Sequence, residues 1–175
     1  IISTMESAAA EIVRWDGGTT FTQITATDGK SVGETTGDKD GFLLKVYNGM
    51  LISGAITSYG AAASTTAIVA AYQGNGTTWT HLTGSTGGGA FGSETNAIDI
   101  TSMVIHDGSL FIATRKSNAA AIYRYKGTTP VANVAANFLR VNTTVGKLIA
   151  GDAADQDGYT LGIYNGRLYA ATITG

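Results

Sequence analysis

The segments Val46-Tyr47-Asn48-Gly49-Met50-Leu51, Ile105-His106-Asp107-Gly108-Ser109-Leu110 and Ile163-Tyr164-Asn165-Gly166-Arg167-Leu168 are versions of one six-residue pattern. Their glycines stand 59 and 58 residues apart, a regularity that unrelated turns would not share by chance. Two other landmarks keep the same period: Phe21, Trp79 and Phe138 at 58 and 59 residues, and Asp40, Asp99 and Asp157 at 59 and 58. Residues 2–17 also align without a gap onto residues 112–127, sharing serine, alanine, arginine, aromatic and glycine positions. A copied unit restricts the fold to an array in which each unit buries apolar surface against its neighbours.

Each unit holds four short runs of strand composition divided by turn residues, and the second unit is the clearest. Residues 42–47 are apolar and aromatic, Asn48-Gly49 is a strong hairpin signal, and residues 50–57 read as the returning strand. Residues 66–72 supply a third strand, Gly74-Asn75-Gly76 a turn, and residues 78–82 a fourth. Helical solenoids need amphipathic runs of period 3.6, whereas this chain is dominated by Thr, Gly, Val, Ile, Tyr and Ala. The one helix-compatible run, residues 6–14, is followed at once by Asp16-Gly17-Gly18 and reads as a loop entering a strand. The expected fold is therefore all-β, with one four-stranded antiparallel β-propeller blade per unit of about 58 residues and about three blades in the chain. The unit is longer than the roughly 40 to 50 residues of WD and kelch repeats, which points to extended loops between strands.

The pattern apolar-x-Val-Tyr-Asn-Gly-x-Leu, then Ile-Tyr-Arg-Tyr-x-Gly, then Thr-Trp-Thr resembles the β-propeller blades of secreted bacterial and bacteriophage proteins, near sialidase-like and lectin propellers. The resemblance covers essentially the whole chain and implies fold far more than function, since propellers host unrelated activities. Residues 14–21 and 74–79 resemble degenerate Asp-box hairpins of the sialidase-like group, with the acidic residue kept at Asp16. In that group the box is a structural turn remote from the catalytic centre, so the likeness implies a propeller hairpin and does not imply hydrolysis.

Ile1 aligns with Phe111 and Tyr169, inside the second strand of a unit, and the last residues cover that strand again. The blades then divide as residues 1–39 (end of blade one), 40–98 (blade two), 99–156 (blade three) and 157–175 (start of the next). Three blades are too few for a ring, because propellers carry roughly 4 to 8. The expected partners are other blades, on a longer polypeptide or on neighbouring chains, with the first favoured. No initiator methionine, signal peptide or membrane-spanning run is present in the residues given.

Charged residues make up 14% of the chain and the net charge is −2, so there is no basic patch to hold nucleic acid. Without cysteine there is neither a disulfide framework nor thiol catalysis. Asp38-Lys39-Asp40-Gly41 and Asp155-Gln156-Asp157-Gly158 place hard oxygen donors at alternate positions before glycine, resembling a fragment of a calcium loop. Asp38, Asp40, Asp155 and Asp157 are thus the metal-ligand candidates and calcium the candidate cofactor, against a plain turn in which Asp accepts backbone amides.

Trp15, Tyr72, Tyr125, Phe21, Trp79 and Phe138 recur at equivalent places, as packing of one sheet on the next demands. The competing expectation is a carbohydrate site, in which sugar rings stack on indole and guanidinium groups hold hydroxyls; its candidates are Trp15, Trp79, Arg14 and Arg124. His81 and His106 occupy repeat positions held elsewhere by other residue types and fit drift better than a metal site or a triad. No nucleophile elbow, P-loop or His-Glu-x-x-His is present, and no catalytic residue is assigned. The loops at residues 58–65, 84–92 and 130–137 are the least regular and the natural place for specificity.

The expected function is non-enzymatic: an extracellular or virion-surface propeller, in a phage fibre or appendage or a bacterial surface protein, acting as a scaffold and as a receptor or glycan binder. The alternative is a sialidase-like glycoside hydrolase with part of its site beyond these residues.

Overall fold

The computed structural model describes residues 2–3, 10–25, 39–57, 68–83, 91, 99–115, 120–129, 135–142, 144, 147–148 and 158–173. The strands in chain order are β1 (Ile2–Ser3), β2 (Ile12–Gly17), β3 (Thr20–Gln23), β4 (Lys39–Tyr47), β5 (Met50–Thr57), β6 (Val69–Tyr72), β7 (Trp79–His81), β8 (Asp99–His106), β9 (Ser109–Arg115), β10 (Ile122–Tyr125), β11 (Phe138–Arg140), β12 (Gly158–Tyr164) and β13 (Arg167–Ile173). Strands take 67% of the described residues, which also include a single 3-10 turn at Ala135–Asn137 and no α-helix. The fold is all-β with antiparallel sheets.

Three two-residue turns set the register. Asn48, Asp107 and Asn165 have φ near +47° (48°, 45° and 47°), and the glycines after them lie at 75°, 66° and 69°. Two successive left-handed residues make the hairpin turn whose twist matches that of paired strands, and Asx-Gly is the pair that adopts it with least strain. Each turn joins a long hairpin: β4 with β5, β8 with β9, and β12 with β13.

β4 to β7 form a four-stranded meander in sequence order, and β8 to β11 form another. β1 to β3 correspond by register to the last three strands of such a meander, and β12 and β13 to the first two. A single residue pair, Gly158 with Arg115, links β12 to β9. The four sheets are called first to fourth in chain order.

Every interface between consecutive sheets is an apolar cluster. Ala10, Ile12 and Ile24 meet Ala55, Ala70 and Trp79 of the second sheet. Tyr47, Met50 and Ile52 of the second meet Leu110, Tyr123, Tyr125 and Phe138 of the third. Ala113, Ala120 and Ile122 meet Tyr159 and Leu161 of the fourth. Because side chains alternate along a strand, β6 sends Ala70 and Tyr72 towards the first sheet and Val69 and Ala71 towards the third. The packing relation also repeats: β4 lies against β1, β8 against β4 and β5, and β12 against β8 and β9.

Polar groups reinforce the stack. A side-chain oxygen just after the fourth strand accepts the N–H that opens the third strand: Thr25 from Ile12 (3.4 Å), Thr83 from Val69 (3.1 Å) and Asn142 from Ile122 (3.0 Å). These acceptors stand 58 and 59 residues apart, and all three are buried. Between sheets, the Trp79 indole N–H donates to the Ile24 carbonyl (2.7 Å), Thr101 Oγ1 to the Tyr159 carbonyl (2.5 Å), and the Leu161 N–H to Ser102 Oγ (3.1 Å).

The second and third sheets approach tightly at Gly54 on β5, where an added Cβ would stand 2.8 Å from Ile100 Cγ2 on β8. The equivalent sequence positions pair Ser3 with Gly41 and Ala113 with Gly158, so the larger second-strand residue goes with glycine on the next first strand. Gly54→Ala should cost about 1–3 kcal/mol through overpacking, measured by urea unfolding. In an Ile100→Ala background the same change should cost close to nothing, giving a clear coupling term in a double-mutant cycle.

Candidate functional site

The outer end of the first sheet carries the densest polar arrangement among the sequence candidates. β2 and β3 pair Arg14 with Thr22 and Trp15 with Phe21, then shift register between Trp15 and Gly17, which leaves Asp16 as an extra residue on β2. Such a bulge re-aims a side chain. Here Asp16 Oδ1 accepts from Arg14 Nε (2.5 Å) and Oδ2 accepts from Thr22 Oγ1 (2.5 Å). The Arg14 hydrogen bond, helped by that of Thr22, holds the Asp16 carboxyl below the usual carboxylate range, and the same contact pushes Arg14 up. The turn itself is held by the Trp15 indole N–H, which donates to the Gly18 carbonyl (3.0 Å).

Arg14 and Trp15 are neighbours on a strand and therefore project from opposite faces. Arg14 shares the face of Ile12, towards the second sheet, while Trp15 and its cross-strand partner Phe21 share the other. Trp15 and Phe21 remain 56% and 51% exposed. Trp79 is 5% exposed, with its ring 5.1 Å from Tyr72 and its N–H occupied by Ile24. Arg124 is exposed on β10, opposite Leu139 and Phe111, in the third sheet. The four candidates are not gathered: Arg14 and Trp15 share a hairpin on opposite faces, Trp79 is core between the first and second sheets, and Arg124 belongs to another sheet.

Of the metal candidates, Asp38, Asp155 and Asp157 lie outside the described residues. Asp40 lies in β4 at a break in register, between Lys39 paired with Thr57 and Gly41 paired with Ile56. Among the described residues no group of three or more His, Asp or Glu side chains could hold a metal ion. The third member of the repeated aspartates, Asp99, is buried and forms an ion pair with Arg115 directly across the β8–β9 ladder. Arg115 is also the residue that Gly158 pairs, so this ion pair sits at the joint between the third and fourth sheets. Its sequence signal is the single unit in which arginine stands opposite the aspartate; the equivalent positions are Ile56 and Ile173.

His81 is buried in β7 opposite Ala70, and His106 Nε2 lies 3.3 Å from Asp107 Oδ2. The Tyr125 hydroxyl is buried with no hydrogen-bond partner among the described residues, and burial, helped by Tyr47, pushes its pKa up. Among the described residues no helix is long and apolar enough to cross a membrane. Comparison of the chain with protein-family models, curated proteins and solved structures gave no match.

A carboxyl depressed in the folded state adds stability that is complete above its unfolded pKa, near 3.9, and is lost as pH falls through the folded value. Asp16→Asn should therefore narrow the stability difference between pH 6 and pH 2.5 relative to the parent chain, read from thermal melts. An unchanged difference would mean that the Arg14–Asp16–Thr22 contacts do not form in solution.

Proposed function

We propose that the chain is part of a β-propeller and acts without catalysis, as an extracellular or virion-borne scaffold that binds a receptor or glycan on a cell surface. The observation that carries this is the recurrence of one sheet-on-sheet relation, in which each first strand packs against strands of the preceding sheet. A relation repeated without change about a common axis generates a ring of radial sheets, which is the propeller architecture. Two-sided burial makes such a disc rigid, so the hairpins and loops at its rim are held in fixed positions.

The polar groups offered for recognition are two arginines. Arg14 and Arg124 occupy equivalent places on third strands, and both are exposed. A guanidinium offers several donors in a fixed plane and suits the hydroxyls and carboxylates of sugars. Arg14 is already oriented by Asp16, whereas Arg124 is exposed on β10 opposite Leu139 and Phe111.

A glycan array and a host-cell adhesion assay with the intact protein test this. Binding is expected, and Arg124→Ala should weaken it roughly tenfold, the effect of losing a charge-assisted hydrogen bond, with an unchanged melting temperature. Failure of the parent protein to bind any glycan or its host surface would remove the recognition half of the proposal.

A further inference from the structure

Three Asn-Gly pairs occur in the chain, Asn48-Gly49, Asn75-Gly76 and Asn165-Gly166, and all six residues are exposed. In this dipeptide the asparagine side chain lies open to attack by its own backbone, because glycine has no Cβ to shield the amide nitrogen that follows. Once that nitrogen has given its proton to solvent base, it attacks Asn Cγ. The new N–Cγ bond closes a five-membered imide, the Cγ–Nδ2 bond breaks, and the side-chain nitrogen takes up a proton and leaves as ammonia. Water then adds to one imide carbonyl and breaks its bond to nitrogen. The product is aspartate, or isoaspartate with the main chain rerouted through Cβ. One ammonia is lost, one water is gained, and nothing is oxidised or reduced.

The fold treats the three pairs differently. Asn48 and Asn165 take the first position of two-residue hairpin turns at φ 48° and 47°, one between the paired residues Tyr47 and Met50, the other between Tyr164 and Arg167. Ring closure needs the glycine nitrogen on the same side of the Cα–C bond as Cβ. In the left-handed conformation, with ψ about +47°, that nitrogen lies nearly opposite Cβ. Attack therefore waits on opening of the turn. Each of these turns is clamped by the ladder behind it, eight residue pairs in β4–β5 and seven in β12–β13.

Asn75 has neither restraint. It lies in the connection between Tyr72 and Trp79, which are the last of three residue pairs joining β6 to β7. Its own φ is not positive, whereas those of Gly74 (85°) and Gly76 (47°) on either side of it are. The Asn75 carbonyl accepts the Thr78 N–H at 3.1 Å, so Asn75 opens a β-turn in which the left-handed residue is Gly76. The conformation that turns the nucleophile away at Asn48 and Asn165 thus falls here on the glycine, and the Asn75 Cα–C bond is free of it. We propose that Asn75 is a modification site, at which the folded chain deamidates through attack by the Gly76 nitrogen, while the turns at Asn48 and Asn165 are protected. The product places a carboxylate at the tip of the β6–β7 hairpin, adding one negative charge to a chain of net charge −2. Its isoaspartyl form lengthens the main chain inside a turn held by three hydrogen bonds: Gln73 N–H to the Thr78 carbonyl, Thr78 N–H to that of Asn75, and the Tyr72 hydroxyl to that of Gly76.

Peptide mapping by mass spectrometry tests this on the full, unmodified chain held folded in mildly alkaline buffer, with aspartyl and isoaspartyl products separated by chromatography. Asn75 should convert at least about tenfold faster than Asn48 and Asn165, which react only from opened turns. In concentrated urea, where the turns are lost, the three should convert within about threefold of one another. Equal rates at the three sites in the folded chain overturn the assignment. So does a preference for Asn75 of about tenfold that persists in urea, because local sequence and not the turn conformation would then set the rate.

Discussion

A four-stranded sheet with apolar side chains on both faces cannot stand alone in water, and every meander of this chain is of that kind. β6 sends Ala70 and Tyr72 one way and Val69 and Ala71 the other, and both pairs are needed: one cluster joins the first and second sheets and the other joins the second and third. At about 25 cal/mol per Å² of apolar area, neighbours that cover both faces are the main source of stability for each sheet. The tandem repeat answers this requirement, because each unit is the cover for the one before it.

Where sheets meet, the contact is specified by a few residues rather than by general oiliness. Gly54 admits Ile100, Trp79 fills the space over the first sheet and spends its N–H on Ile24, and Thr101 and Ser102 reach the backbone of β12. The Asp99–Arg115 pair closes the joint between the third and fourth sheets. Breaking a buried pair of this kind by removing one partner leaves an uncompensated charge, so the joint is better suited to holding one arrangement than to moving. Packed interfaces of this kind hold in place the strands that carry Arg14, Asp16 and Arg124.

Much of this was legible in the chain itself. Asn48-Gly49 and its copies mark the long hairpins because so few residue pairs tolerate two left-handed conformations in succession, and the 58- to 59-residue period then locates the remaining strands. Packing as the role of Trp79, Tyr125 and Phe138 also follows from their recurrence. Hidden were features that depend on which face a residue takes: Arg14 and Trp15 are adjacent in sequence yet project oppositely, and a bulge, unmarked by composition, turns Asp16 back onto Arg14. The buried acceptors Thr25, Thr83 and Asn142 keep the period but change residue type, which conceals them from pattern reading. Asp99 was legible as a repeated acid, but its partner Arg115 exists in one unit alone.

The claim on which all else depends is that consecutive units stack sheet on sheet through buried aromatic contacts. Hydrogen exchange of the Trp79 indole N–H, assigned by comparison with a Trp79→Phe variant, tests it in one measurement. If Trp79 is sealed between the first and second sheets with its N–H on the Ile24 carbonyl, exchange should run at least about a hundredfold slower than for a free indole and should quicken only when the sheets separate. Exchange at the free rate in the folded chain would contradict the stack.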